Sequence, residues 1–80
     1  MHEARLCLSI IRLAEEALAR DGGRSIHRVE LEVGDCSGVA PEALAGAFPI
    51  CARGTAAEGA TLEWRSVAGR ELRLRAMEVT

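Results

Sequence analysis

His27-Arg28-Val29-Glu30-Leu31-Glu32-Val33-Gly34 is the stretch that decides the fold. On an extended chain Val29, Leu31 and Val33 project to one side, and Arg28, Glu30 and Glu32 to the other. A strict period of two marks a strand with one buried face and one wet face. The rest of the chain must then supply the cover for that buried face.

Upstream, from about Glu3 to Arg20, the apolar positions Leu6, Ile10, Leu13, Ala14, Ala17 and Leu18 recur every three or four residues. That spacing predicts an amphipathic helix, with Glu15 and Glu16 on its wetter side and Asp21-Gly22-Gly23 as its stop. Glu3 falls in or near the first turn, where the helix dipole favours a carboxylate. Downstream, Gly34-Asp35-Cys36-Ser37-Gly38 is loop chemistry. Pro41-Glu42 then opens a second helix whose stripe is Leu44, Ala47, Phe48 and Cys51, with Gly54 as a stop. Pro49 removes a hydrogen bond and crowds the Ala45 carbonyl, which predicts a kink or a helix broken into two pieces. Thr61 to Val67 and Glu71 to Val79 read as strands, with Leu62 and Trp64 on one face and Leu72 and Leu74 on another. Ala68-Gly69 between them is short enough for a hairpin, with Gly69 able to take a left-handed conformation. The expected class is α/β (α+β): an α-β-α-β-β order forming a three-stranded mixed sheet with two helices on one face. The first strand, second helix and second strand make a right-handed crossover, and the last strand returns antiparallel.

Eighty residues allow one domain, spanning 1–80. Apolar residues are 49% of the chain, but Phe48 and Trp64 are its only aromatics, so the core is aliphatic. The net charge of −2 and pI of 5.6, with both signs interspersed, argue against nucleic acid and against a polybasic membrane surface. No apolar run reaches the length of a membrane span, and Glu3, Arg5 and Arg12 interrupt any secretory leader. Cys7, Cys36 and Cys51 are odd in number and widely spaced, with no Cys-x-x-Cys pair for zinc or redox chemistry. This usage points to a reducing, cytoplasmic setting, with each cysteine read as a small buried hydrophobe.

The start, Met1-His2-Glu3, carries the most distinctive chemistry. The Met1 amine, the His2 backbone nitrogen and the His2 imidazole can close adjacent chelate rings around one ion. A flat, nitrogen-rich field of that kind suits Ni(II) or Cu(II), and Glu3 or a partner can add a fourth donor.

These residues, together with Val29-Glu30-Leu31-Glu32-Val33-Gly34, Ser37-Gly38-Val39, Pro41-Glu42-Ala43-Leu44, Arg53-Gly54-Thr55 and Glu58-Gly59-Ala60, resemble the HypA/HybF family. Glu71-Leu72-Arg73-Leu74 and Met77-Glu78-Val79 look like that family's last strand, so the resemblance runs the length of the chain. It implies a nickel metallochaperone for [NiFe]-hydrogenase maturation, and in some organisms for urease, that is not an enzyme. It implies Ni(II) held at His2 and Glu3 with backbone nitrogens, here completed by Met1. It also implies a HypB-type GTPase and the hydrogenase large-subunit precursor as partners, with the protein a monomer or weak homodimer. Two departures stand out. The family's zinc domain, with two Cys-x-x-Cys pairs, is inserted between the strands that a short turn near 68–70 joins here, so no structural zinc is expected. Many relatives also have an acidic residue where this chain has Ala40, which leaves Asp35 and Glu42 as candidate auxiliary carboxylates.

Each singled-out residue also has a plainer reading. His2 is either a ligand or a solvated terminal histidine, and Glu3 either ligates or serves the helix N-terminus. His27 reads as an exposed polar residue. Cys36 lacks a partner base unless His27 reaches it, so a nucleophilic role is disfavoured. The run Arg70-Glu71-Leu72-Arg73-Leu74-Arg75 is the wet face of a strand or a docking surface for an acidic partner. The alternative to a nickel carrier is an interaction module that docks to the GTPase or hydrogenase precursor without carrying metal.

Overall fold

Burial along the alternating run follows its period: Val29, Leu31 and Val33 are 3% exposed or less, while Arg28, Glu30 and Glu32 between them are half-buried. A computed structural model describes residues 2–80. Its elements are α1 (His2–Arg20), β1 (Ile26–Gly34), α2 (Pro41–Cys51), β2 (Thr61–Val67) and β3 (Leu72–Val79). The expected α-β-α-β-β order is therefore observed, with two helices and one three-stranded mixed sheet.

β1 is the middle strand, parallel to β2 and antiparallel to β3. Leu62 and Met77 flank Val29, and Trp64 and Leu74 flank Leu31, so all three strands present apolar residues to one side. Leu72 and Leu74 thus share the face of Leu62 and Trp64 rather than occupying another, and all four pack on the core. A register shift in β3, where Glu30 faces Ala76 but Leu31 faces Leu74, makes Arg75 an extra residue. Such a bulge re-aims its side chain.

The hairpin expected at Ala68-Gly69 does not form. β2 and β3 flank β1 and are not neighbours, so residues 68–71 cross over its C-terminal end. The reason lies in hydrogen bonding and burial together. The strand with the most apolar buried face takes the position where both edges are paired, and the less buried β2 and β3 become edges. The crossing is fastened by Gly34 N donating to Glu71 O (2.8 Å), Asp35 N to Val67 O (2.8 Å), Cys36 N to Gly69 O (2.8 Å) and Gly69 N to Asp35 Oδ1 (3.0 Å). Gly69 does adopt a positive φ of 117°, but to make this crossing. Backbone passes so close to Gly34 that a Cβ there would meet the Gly69 carbonyl oxygen and stand 2.9 Å from Glu71 N.

Cys7, Ile10, Ile11, Ala14 and Leu18 are the buried face of α1. The face is rotated from the sequence reading: Cys7 and Ile11 replace Leu13, which is 54% exposed. At its C-terminus, Gly23 N donates to Leu18 O (3.0 Å) and Gly22 N to Ala19 O (3.2 Å), a glycine-dependent closure of the last turn. α2 buries Leu44 and Phe48. It is not broken at Pro49, because the proline stands in the last turn and the helix ends two residues later. Ala52 N then donates to Phe48 O (2.9 Å), followed by turns to Ala60. Glu15, expected on the wetter side, is half-buried and accepts from Ala56 N (3.1 Å), tying α1 to those turns. Thr80 is bonded to the entry of β1, its carbonyl accepting from Arg24 N (2.6 Å) and Ser25 N (3.1 Å).

Gly34→Ala is expected to cost about 2 kcal/mol, because the obstructing atoms are backbone and an overpacked site relieves itself only by shifting it. Gly46→Ala, on the exposed side of α2 with open space around it, is expected to stabilise by ~0.5–1 kcal/mol. Urea unfolding followed by the single tryptophan, Trp64, reads both; equal effects would refute the close crossing.

Candidate metal-binding end of the first helix

α1 begins at His2, so the His2 amide belongs to the opening turn, whose N–H groups have no partner within the helix. That nitrogen can therefore become a metal donor without breaking a helical hydrogen bond. The dipole at a helix start opposes a bare cation but favours anionic donors, here a deprotonated amide and the Glu3 carboxylate. Glu3 is half-buried in the first turn of α1. Met1 and the His2 imidazole, the other predicted ligands, lie outside the described residues.

One turn further along α1 stands Cys7, fully buried, whose thiol donates to Leu44 O at 3.3 Å. Cys51, half-buried at the end of α2, reaches Ala4 O at 3.8 Å with its sulfur. Cys7 thus contacts α2 while Cys51 contacts α1, at one stretch of the contact between the two helices. Burial above all, then the Cys51 thiol and the Glu3 charge, push the Cys7 thiol from 9.0 up to about 11. The reading of cysteines as buried hydrophobes thus holds for Cys7, holds partly for Cys51 and fails for Cys36, which is exposed. The pairing of Cys7 with Cys51 escaped the sequence reading because Cys7 was not assigned to the buried stripe of α1. A helix face centred one residue later would have shown both thiols on stripes that meet.

Among the described residues, no three His, Cys, Asp or Glu side chains gather in a way that holds a metal. Asp35, a candidate auxiliary carboxylate, accepts from Gly69 N and so fastens the crossing. Glu42 is exposed in the first turn of α2. His27 lies at the start of β1, its Nε2 2.9 Å from Thr80 Oγ1, whereas Cys36 follows the other end of that strand. That separation removes the base a Cys36 nucleophile would need.

The sheet face away from the helices is a lattice of opposite charges. Arg28 pairs with Glu30 (2.8 Å), Glu63 (3.2 Å) and Glu78 (3.6 Å), and Arg65 with Glu32 (2.9 Å). Arg75, re-aimed by the bulge, pairs with Glu30 (2.6 Å) and Glu32 (3.7 Å). Arg28, with help from Arg75, holds the Glu30 carboxyl below its ordinary range. The arginines of the 70–75 run are therefore partly neutralised, Arg73 also lying 3.9 Å from Glu71. Among the described residues no helix is long and apolar enough to cross a membrane.

The family model described as hydrogenase/urease nickel incorporation, metallochaperone, HypA, matches residues 1–72. The chain belongs to the HypA family. Hydrogenase maturation factor HypA of Deinococcus radiodurans is 44% identical over 69 residues, covering 86% of this chain and 58% of that protein. Its counterpart in Geobacter metallireducens is 41% identical over 70 residues, covering 88% of this chain and 61% of that protein. The chain thus spans about three-fifths of the length of these curated relatives. The solution structure of the Ni metallochaperone HypA from Helicobacter pylori has the same fold, with a TM-score of 0.76 at 16% identity, covering 98% of this chain and 86% of that one. The family match ends at residue 72, the first residue of β3, whereas the shared fold covers nearly the whole chain. The family is one of metallochaperones associated with nickel.

The raised Cys7 thiol makes an alkaline prediction. All ten basic residues are arginine and there is no tyrosine, so cysteines are the only side chains with ordinary values in the range between pH 9 and 11. A value higher folded than unfolded stabilises fully below pH 9.0, and that contribution is lost as pH rises through about 11. Stability is expected to fall by up to about 3 kcal/mol across that window. Cys7→Ala should flatten the fall; an unchanged slope in urea titrations at stepped pH would show that Cys7 does not govern it.

Proposed function

We propose that this chain is a nickel carrier that holds Ni(II) at the start of α1 and passes it on during [NiFe]-hydrogenase maturation. The Met1 amine, the His2 backbone nitrogen and the His2 imidazole form the chelate, and Glu3 supplies a fourth donor. Zinc has no part in this site. A HypB-type GTPase and the hydrogenase large-subunit precursor are the partners in delivery. Membership of a nickel-incorporation family supports the reading. The single observation that carries it is that the helix opens at His2, with Glu3 in its first turn.

The chemistry suits a carrier. Nitrogen donors in a tetragonal field select Ni(II) or Cu(II) over the oxygen-loving cations. A ligand set at the end of one helix is open on its outer side, so a receiving protein can enter the coordination sphere and displace donors one at a time. The donors must lose protons to bind, so loading releases protons and weakens as pH falls. In our reading a single 1–80 domain, with a short turn near 68–70 in place of the zinc domain that the family resemblance implies, is sufficient for this step.

Nickel titration calorimetry on protein with a free α-amino group tests the assignment. His2→Ala is expected to weaken binding by about 100-fold, ~3 kcal/mol. Nα-acetylation should do likewise and abolish the d–d band of planar nickel. Full affinity in both variants would overturn the site, while parent affinity no better than that of a Met-His-Glu peptide would favour the metal-free interaction module.

A further inference from the structure

The groups that the nickel reading leaves unused include two thiols at the contact between the helices. Cys7 is buried on α1 and donates to Leu44 O of α2 at 3.3 Å. Cys51 of α2 reaches back to Ala4 O of α1 at 3.8 Å. Ala4 lies one turn before Cys7, so each sulfur contacts the opposite helix beside the other. Both thiols lie on the less wetted side of their helices, Cys7 buried and Cys51 half-buried.

We infer that Cys7 and Cys51 are a redox pair that closes reversibly into a disulfide, tying the first two turns of α1 to the end of α2. The half-buried Cys51 is the thiol that meets an oxidant of the low-molecular-weight disulfide class. Its thiolate attacks one sulfur of oxidised glutathione, forming a mixed disulfide and expelling one glutathione thiolate. Cys7 loses its proton to solvent, and its sulfur attacks the Cys51 sulfur and expels the second glutathione. The protein gives up two electrons and two protons, and one glutathione disulfide becomes two thiols. Because Cys7 is fully buried, the first attack falls to the half-buried Cys51, and Cys7 at the same helix contact then resolves the mixed disulfide into the closed form. The inference does not depend on metal binding.

Cys36 is exposed and distant along the chain, and it shares tryptic peptide 29–53 with Cys51, so the test uses full-length Cys36→Ser protein. Incubated with excess oxidised glutathione and then alkylated under denaturing conditions, it is expected to be two hydrogens lighter, monomeric and unable to take up iodoacetamide. Trypsin should release peptide 6–12, which holds Cys7, joined to peptide 29–53. Thermal unfolding should shift upward on oxidation and return with dithiothreitol, and amide exchange over residues 4–8 should slow. Adding Cys51→Ser should leave Cys7 alkylatable only after unfolding; adding Cys7→Ala should leave a stable glutathione adduct on Cys51. Two glutathiones on the Cys36→Ser protein, or two alkylatable thiols after equilibration, would overturn the pairing.

Discussion

β1 is hydrogen-bonded along both edges and must hide one of its faces completely, and the other elements answer to that double demand. Both edge strands are chosen by it: β2 arrives parallel after α2, and β3 arrives antiparallel after crossing the strand end. Their positions cannot be exchanged for a hairpin without leaving β1 at an edge, with Val29, Leu31 and Val33 covered on fewer sides. The helices then share the remaining work, α1 through Ile10, Ile11, Ala14 and Leu18 and α2 through Leu44 and Phe48. With so few aromatic residues the core is made of small aliphatic pieces. Close approaches such as Gly34 against the crossing and Cys7 against Leu44 O matter correspondingly more.

The same arrangement explains why chemistry gathers at one end of the molecule. α1 is joined to β1 by only five residues, 21–25, so the start of α1 and the end of β1 face the same way. The first two turns of α1 are held against α2 through Ala4 and Cys7, and Glu3 is half-buried at the start of that contact. A ligand set there is oriented by a rigid helix yet lies outside the core. An ion held there, as we propose, would oppose the helix dipole unless anionic donors accompanied it, and that would limit how tightly it is held.

Much of this was legible in the sequence, for identifiable reasons. The alternation of β1 and the three-and-four spacing of α1 are local properties, and both elements follow them. The helix α2 was legible too, although Pro49 suggested a break; a proline in the last turn forfeits the bond to the Ala45 carbonyl, but the helix ends two residues later, so little of it is left to displace. Strand adjacency was less accessible. The brevity of Ala68-Gly69 fits a hairpin and a crossing equally, and only competition for the central position separates them. Periodicity likewise defines a stripe but not which sector of it meets the sheet, hence Leu13 for Cys7 and Ile11. Glu15 looked solvated because its partner, Ala56 N, lies 41 residues away. For the proposed metal site, the residue types at the chain start were legible at once, as was the family they resemble, whereas the nearby thiol pair is a long-range fact.

The crossing over the end of β1 has an architectural corollary. Its grip on the strand comes from backbone groups of Val67, Gly69 and Glu71, together with the Asp35 carboxylate; the Arg70 side chain is exposed and outside that set. Opening the chain at Arg70 would leave the clasp on either side in place and direct both new ends into solvent. A fold built this way is modular at one point, able to host or shed an entire extra lobe there without disturbing the packing beneath it.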